Sequence, residues 1–123
     1  MTTLKLKIIL IIEDDQDILF SLQNLLEDEG YAVRAAENGA IALEYLKTHE
    51  VPNLILLDMM MPVMNGWEFA AEFSKMHDHI CPIVVMTAAA DAEQRARDVN
   101  AVGLIEKPFD LNKLLTIIKK HEL

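Results

Sequence analysis

Three short apolar runs are continuous rather than alternating, at residues 8–12 of a strand candidate that begins at Lys7, at 54–57 and at 83–86, and each stops at a polar residue, Glu13, Asp58 and Thr87. Successive side chains of a strand point to opposite faces, so a strand that is apolar throughout must be covered on both sides. Segments 31–36 and 104–105 are weaker strand candidates. Segments of helical period lie between the strands. Ile18, Leu22, Leu25 and Leu26 mark the first, with Gly30 as a left-handed stop, and Ala42, Leu43 and Leu46 mark the second, with Asn38 as its cap. Phe69, Ala70, Phe73 and Met76 mark a third, entered through Asn65-Gly66. Residues 91–100 form the least apolar, with Asp91 and Gln94 spaced as a capping box, and Leu111, Leu114, Leu115 and Ile118 form the last, opened by Asp110. Strand and helix thus alternate five times. That order predicts an α/β fold, a parallel sheet with helices on both faces and right-handed crossovers.

No linker, repeat or low-complexity tract interrupts the 123 residues, so a single domain over 1–123 is expected. A chain of this length buries roughly two-thirds of its unfolded surface and needs no staples. Its one cysteine, Cys81, lies among Ile80, Pro82 and Ile83 and reads as a buried structural thiol. The net charge of −9 argues against nucleic acid and anionic lipid as general partners. The apolar run after Lys5 and Lys7 ends at Glu13, too short for a signal peptide or a membrane span, which makes the cytoplasm the expected location.

Ligands of open parallel sheets bind beyond the carboxyl ends of the strands, where strand order reverses. The first strand runs into Glu13-Asp14-Asp15, the third ends at Asp58, the fourth at Thr87, and the fifth leads to Lys107-Pro108. If the strand order is 2-1-3-4-5, those four ends are neighbours, and one crevice holds several carboxylates, a hydroxyl and an ammonium. Clustered carboxylates call for a cation, and Mg²⁺ suits a site with few protein oxygens. Asp58 is then placed to attack a phosphoryl group, with Lys107 and Thr87 holding its remaining oxygens.

These residues resemble the receiver domain of two-component response regulators, over nearly the whole chain. The resemblance rests on IIEDD after the first strand, LLDMMMPVMNG around Asp58, VVMTA around Thr87 and EKPF around Lys107, in that order. It implies a flavodoxin-like (βα)5 sheet of order 2-1-3-4-5 and Asp58 as phosphoacceptor. It also implies Mg²⁺ held by Asp14 directly, by Glu13 through water, by Asp58 and by the backbone carbonyl of Met60. Thr87 and Lys107 would bind the phosphoryl group, and Lys107-Pro108 would be cis. The implied partners are a sensor histidine kinase or histidine phosphotransfer domain and a downstream protein, reached through the fourth helix, fifth strand and fifth helix. Such a module acts as a switch rather than as an enzyme, apart from its own phosphorylation and dephosphorylation. With the sequence ending at Leu123, a stand-alone receiver or relay element is expected. Two departures stand out: the acidic pair is Glu-Asp rather than Asp-Asp, and Leu104 occupies the place where the family usually carries Tyr or Phe.

Other residues have ordinary readings. Asp15 and Asp17 sit where negative charge favours a helix start, outside the metal shell. Met59, Met60, Met61 and Met64 read as packing, with Met64 an alternative partner contact, and Trp67 reads as a helix-start packing residue. His49, His77, His79 and His121 lack metal-site spacing, and Glu106 is expected to face solvent. Two competing functions share the architecture. A flavodoxin-like cofactor binder would need donors for a flavin phosphate where this chain has acids. A hydrolase working through an aspartyl phosphate would need an acid two residues after Asp58, where Met60 stands.

Overall fold

The computed structural model describes residues 6–76, 81–88 and 90–123. The strands are β1 (Ile8–Ile12), β2 (Ala32–Ala36), β3 (Leu54–Asp58), β4 (Ile83–Thr87) and β5 (Gly103–Glu106). The helices that follow them are α1 (Gln16–Asp28), α2 (Gly39–Thr48), α3 (Gly66–Met76), α4 (Ala92–Asp98) and α5 (Leu111–His121). All pairings are parallel and the order is β2-β1-β3-β4-β5. Strand order reverses between β1 and β3, so a crevice opens there at the carboxyl ends.

The continuous apolar runs feed two cores. Leu10, Ile12, Ile55, Leu57, Ile83 and Val85 face one way, onto Ala42 and Leu46 of α2, Phe69 and Phe73 of α3 and Ala96 of α4. Ile9, Ile11, Leu54, Leu56, Val84 and Met86 face the other, onto Leu19, Leu22 and Leu26 of α1 and Leu114 and Ile118 of α5. Each fully buried aliphatic side chain stabilises the fold by roughly 1.5–3 kcal/mol, and this double coverage fixes the central strands and their ends.

The buried stripe of α1 is centred on Leu19, Leu22 and Leu26, with Ile18 and Leu25 at its margin. On α5 the stripe is Leu114 and Ile118, and Leu111 is exposed. Local chemistry starts most helices as expected. The Asp15 carboxylate accepts from Asp17 N–H and Ile18 N–H, Asn38 Oδ1 from Ile41 N–H at 2.9 Å, and Asp110 from Asn112 and Lys113 N–H. Asn65 and Glu68 cap α3 reciprocally, Oδ1 accepting from Glu68 N–H at 2.9 Å and Oε1 from Asn65 N–H at 3.2 Å. Gly30, at φ +95°, turns the chain into β2.

The capping box expected at α4 does not form. Asp91 makes no side-chain cap; its carboxylate takes Arg95 Nε at 2.8 Å, and Gln94 donates to Asp98 at 2.8 Å. Two stronger partners one turn away outcompete the weaker backbone cap. α4 is short, and its buried side chains are the small ones of Ala92 and Ala96.

Cys81 is buried, its thiol donating to Pro52 O at 3.3 Å, and burial pushes its pKa up to about 12, so it stays a neutral thiol. Met59 and Met61 fill the core and Met64 packs against it, whereas Met60 is 62% exposed. His49 is exposed and stacks on Tyr45, Glu106 is exposed as expected, and His77 and His79 lie outside the described residues. Among those residues, no helix is long and apolar enough to cross a membrane.

Candidate functional site

β1 carries Glu13 to the crevice directly: its N–H donates to Ala36 O at 3.0 Å, extending the β1–β2 ladder by one residue. The Glu13 side chain is fully buried, which a carboxylate tolerates only with partners. It has them: Lys107 Nζ lies 2.6 Å from Oε1, and Asp15 N–H donates to Oε2 at 3.2 Å. Asp14, next along the chain, is exposed over the crevice, while Asp15 turns away to cap α1.

Asp58 ends β3 paired with Met86, and Thr87 ends β4 paired with Glu106; both side chains are buried. Asp58 Oδ1 accepts from Met60 N–H at 3.3 Å and lies 3.6 Å from Lys107 Nζ. Lys107 is tied to β4 by its own N–H, which donates to Thr87 O at 3.0 Å, and the Lys107-Pro108 peptide is cis. One carboxylate oxygen from each of Glu13, Asp14 and Asp58 lies within 4.8 Å of the other two. The sequence expectation therefore assembles in one place: Glu13, Asp14, Asp58, Thr87, Lys107 and the Met60 peptide.

The electrostatics follow from this crowding. Burial, a hydrogen bond shared with Glu13 and the Glu13 charge raise the Asp58 pKa to about 7; the Lys107 ammonium and the Met60 N–H oppose the shift. Burial alone would lower the Lys107 pKa, but the Glu13 hydrogen bond and both carboxylate charges outweigh it and raise it. Three acids facing one ammonium leave the cluster short of positive charge. Hard carboxylate oxygens at this separation fit a small divalent cation such as Mg²⁺. Such a cation would also draw Asp58 back towards its ionised form.

Two features of the site escaped the sequence reading. Gly66 begins α3 hard against the Asp58 loop: a Cβ there would come within 2.6 Å of Met59 Sδ and 2.8 Å of Met59 Cα. Its N–H donates to Met59 O at 3.0 Å, so α3 clamps the loop that follows Asp58. The Asn65-Gly66 turn signal marked a helix entry but not this close approach. The second is Arg95 of α4, which lines the same crevice as Glu13, Asp14, Asp58, Thr87 and Lys107. The sequence pattern around Asp91 points to Gln94 as a capping partner and gives Arg95 no direction towards the site.

A sequence model of the response regulator receiver domain matches residues 9–119. Transcriptional regulatory protein PdtaR of Mycobacterium tuberculosis is 37% identical over 114 residues, which are 90% of this chain and 54% of that protein. The chain thus spans about half the length of this curated relative. Sporulation initiation phosphotransferase F of Bacillus subtilis is 33% identical over 115 residues, 92% of this chain and 91% of the relative. Among solved structures, the CheY-like response regulator receiver domain protein of Methanospirillum hungatei matches with a TM-score of 0.85 at 33% identity, over 94% of this chain and 93% of that one. The chain belongs to the response regulator receiver family, the signalling modules of two-component systems.

Proposed function

We propose that this chain accepts a phosphoryl group on Asp58 in a Mg²⁺-dependent reaction and passes on the resulting change through protein contacts. The observation that carries the reading is the convergence of Glu13, Asp14 and Asp58 within 4.8 Å, with Lys107 Nζ 3.6 Å from Asp58 Oδ1, at the edge where strand order reverses. An Asp58 carboxylate oxygen attacks phosphorus, forming the aspartyl P–O bond. The P–N bond of a donor phosphohistidine, or the P–O bond of acetyl phosphate, breaks, and its electron pair leaves with imidazole or acetate. Mg²⁺, when bound, neutralises charge on the transferring group. Glu13, Asp14, Asp58 and the Met60 carbonyl would hold it, Asp14 directly and Glu13 through water.

Lys107 then binds a phosphoryl oxygen, its ammonium already held between Glu13 and Asp58. Thr87 binds another and couples it to the loop before α4. Loss of the phosphoryl group to water at the same site resets the module, and no other substrate is turned over. The donor is a sensor histidine kinase or a histidine phosphotransfer domain, and the receiver of the signal is a protein contacting α4, β5 and α5. Leu104 packs from β5 against the core on the α2–α4 side and offers no ring or hydroxyl to swing. The lightly anchored α4 carries more of the change instead.

Neither competing function fits this crevice as well. An acidic cluster repels a flavin phosphate, and a hydrolase finds the exposed thioether of Met60 where it needs an acid. Intact-mass analysis after incubation with acetyl phosphate tests the reading. One phosphoryl adduct is expected, dependent on Mg²⁺ and absent in Asp58→Asn; an equal yield in that variant would contradict it.

A further inference from the structure

Arg95 is held on two sides and incomplete on a third. Its Nε donates to Asp91 Oδ1 at 2.8 Å, and its Cζ lies 5.1 Å from the centre of the Trp67 ring, a cation–π placement. Trp67 is itself fixed, Nε1–H donating to Asp98 at 3.0 Å. The arginine side chain is only 16% exposed, and its Nη1 is fully buried with no hydrogen-bond partner among the described residues. A buried guanidinium nitrogen without an acceptor is costly, and a native fold seldom keeps one without a use. The side chain lines the crevice of Asp58, Thr87 and Lys107, so the acceptor it lacks is one that arrives there.

Charge identifies that acceptor. A divalent cation and Lys107 together balance Glu13, Asp14 and Asp58. A phosphoryl group then brings further negative oxygens that this balance leaves uncovered. Arginine is the side chain best shaped to bind them, because it keeps its charge when buried and donates in a fixed plane.

Building on the phosphoryl-acceptor reading above, we propose that Arg95 is a phosphoryl-binding residue of this chain. Nη1 donates to an oxygen of the group on Asp58 while Nε stays on Asp91. No bond is made or broken by the arginine. It recruits the phosphodonor and, because it is the fourth residue of α4 and rests on Trp67 of α3, it reports occupancy of the site to both helices. That gives α4 a direct link to the phosphoryl group in a chain where β5 carries Leu104 instead of an aromatic ring.

Phosphorylation by acetyl phosphate in Mg²⁺ tests this, followed by intact mass and by the fluorescence of Trp67, the only tryptophan. Arg95→Ala should raise the half-saturating concentration of acetyl phosphate roughly tenfold, as loss of a charge-assisted bond predicts, with a smaller effect on the rate at saturation. Arg95→Lys should recover part of the loss by supplying charge without the planar fork. Wild-type Trp67 emission should change on phosphorylation as the cation over the ring shifts, and the change should vanish in Arg95→Ala. Should Arg95→Ala fail to fold, Arg95→Lys and the wild-type emission still decide. Wild-type saturation in either Arg95 variant, or unchanged wild-type emission while Asp58 is phosphorylated, overturns the role of Arg95 alone. Absence of any Asp58 adduct on the wild type instead overturns the underlying phosphoryl-acceptor reading.

Discussion

Replacing Asp14 with Asn should stabilise the metal-free protein and abolish most of its response to Mg²⁺. Asp14 shares its corner with Glu13 and Asp58, carboxylate oxygens lying within 4.8 Å, and among the described residues the ammonium at this corner is spent on Glu13 and Asp58. At that separation two unit charges repel by about 0.9 kcal/mol in the dielectric of water and by about 3.5 kcal/mol at an effective dielectric of ~20. Asp14 is exposed, so the lower figure governs, and well above pH about 7, where Asp58 is ionised as well as Glu13, relief from two such pairs comes to about 2 kcal/mol before salt screening. For a domain of this size that is a rise in Tm of roughly 5 to 10 °C. Mg²⁺ reverses the order, because a ligand that binds only the native state adds about 2.7 kcal/mol at a hundred times its Kd. Thermal melts of both proteins at matched ionic strength, in chelator and in millimolar Mg²⁺, would show it. A variant that melts below the metal-free wild type and still gains fully from Mg²⁺ would remove Asp14 from the metal site.

Val63 sits at φ +68° while Met64 N–H donates to Pro62 O at 2.7 Å, a γ-turn centred on a β-branched residue, so Val63→Gly should stabilise the fold by about 1 kcal/mol in denaturant titration. No change or a loss there would mean the loop relaxes without strain. In chelator, stability should fall as pH rises from about 4 to about 7, because native Asp58, with its pKa raised to about 7, keeps a proton that the unfolded chain has already released. The cost levels off above that window at no more than about 4 kcal/mol; the wild-type slope should exceed that of Asp58→Asn, and equal slopes would count against the shift. Thr87→Ala should still be phosphorylated but show smaller amide-exchange differences between the free and phosphorylated forms around α4; a full wild-type pattern would contradict the coupling role.

What the sequence made legible was whatever depends on local pattern. Buried strands covered on both faces leave no polar residue in the run, so the stops at Glu13, Asp58 and Thr87 are visible in the sequence; alternation with helices implies a parallel sheet, and the strand order comes from the family resemblance. Asn38, Asp110 and the Asn65-Gly66 turn announced helix starts because a cap is a bond to a residue two or three positions on. Asp91 had the same signature and did not cap, since Arg95 one turn later offers it a stronger, charged partner. The pairing of Glu13 with Lys107 and the reach of Arg95 into the crevice join residues far apart in sequence, and the burial of Gly66 against Met59 depends on how the loop between them folds. No periodicity records such contacts. The stripe of α1, shifted by one residue from Ile18 towards Leu19, shows the same limit on a smaller scale, because helix rotation is set by the sheet it packs on.

The central claim is that Asp58 itself carries the phosphoryl group. Borohydride reduces an acyl phosphate to an alcohol, so trapping the phosphorylated protein and mapping its peptides would mark the acceptor as homoserine. The account predicts homoserine at position 58 alone, formed only when Mg²⁺ and phosphodonor are both present. Homoserine at position 14, or phosphate retained on a histidine with Asp58 intact, would contradict it.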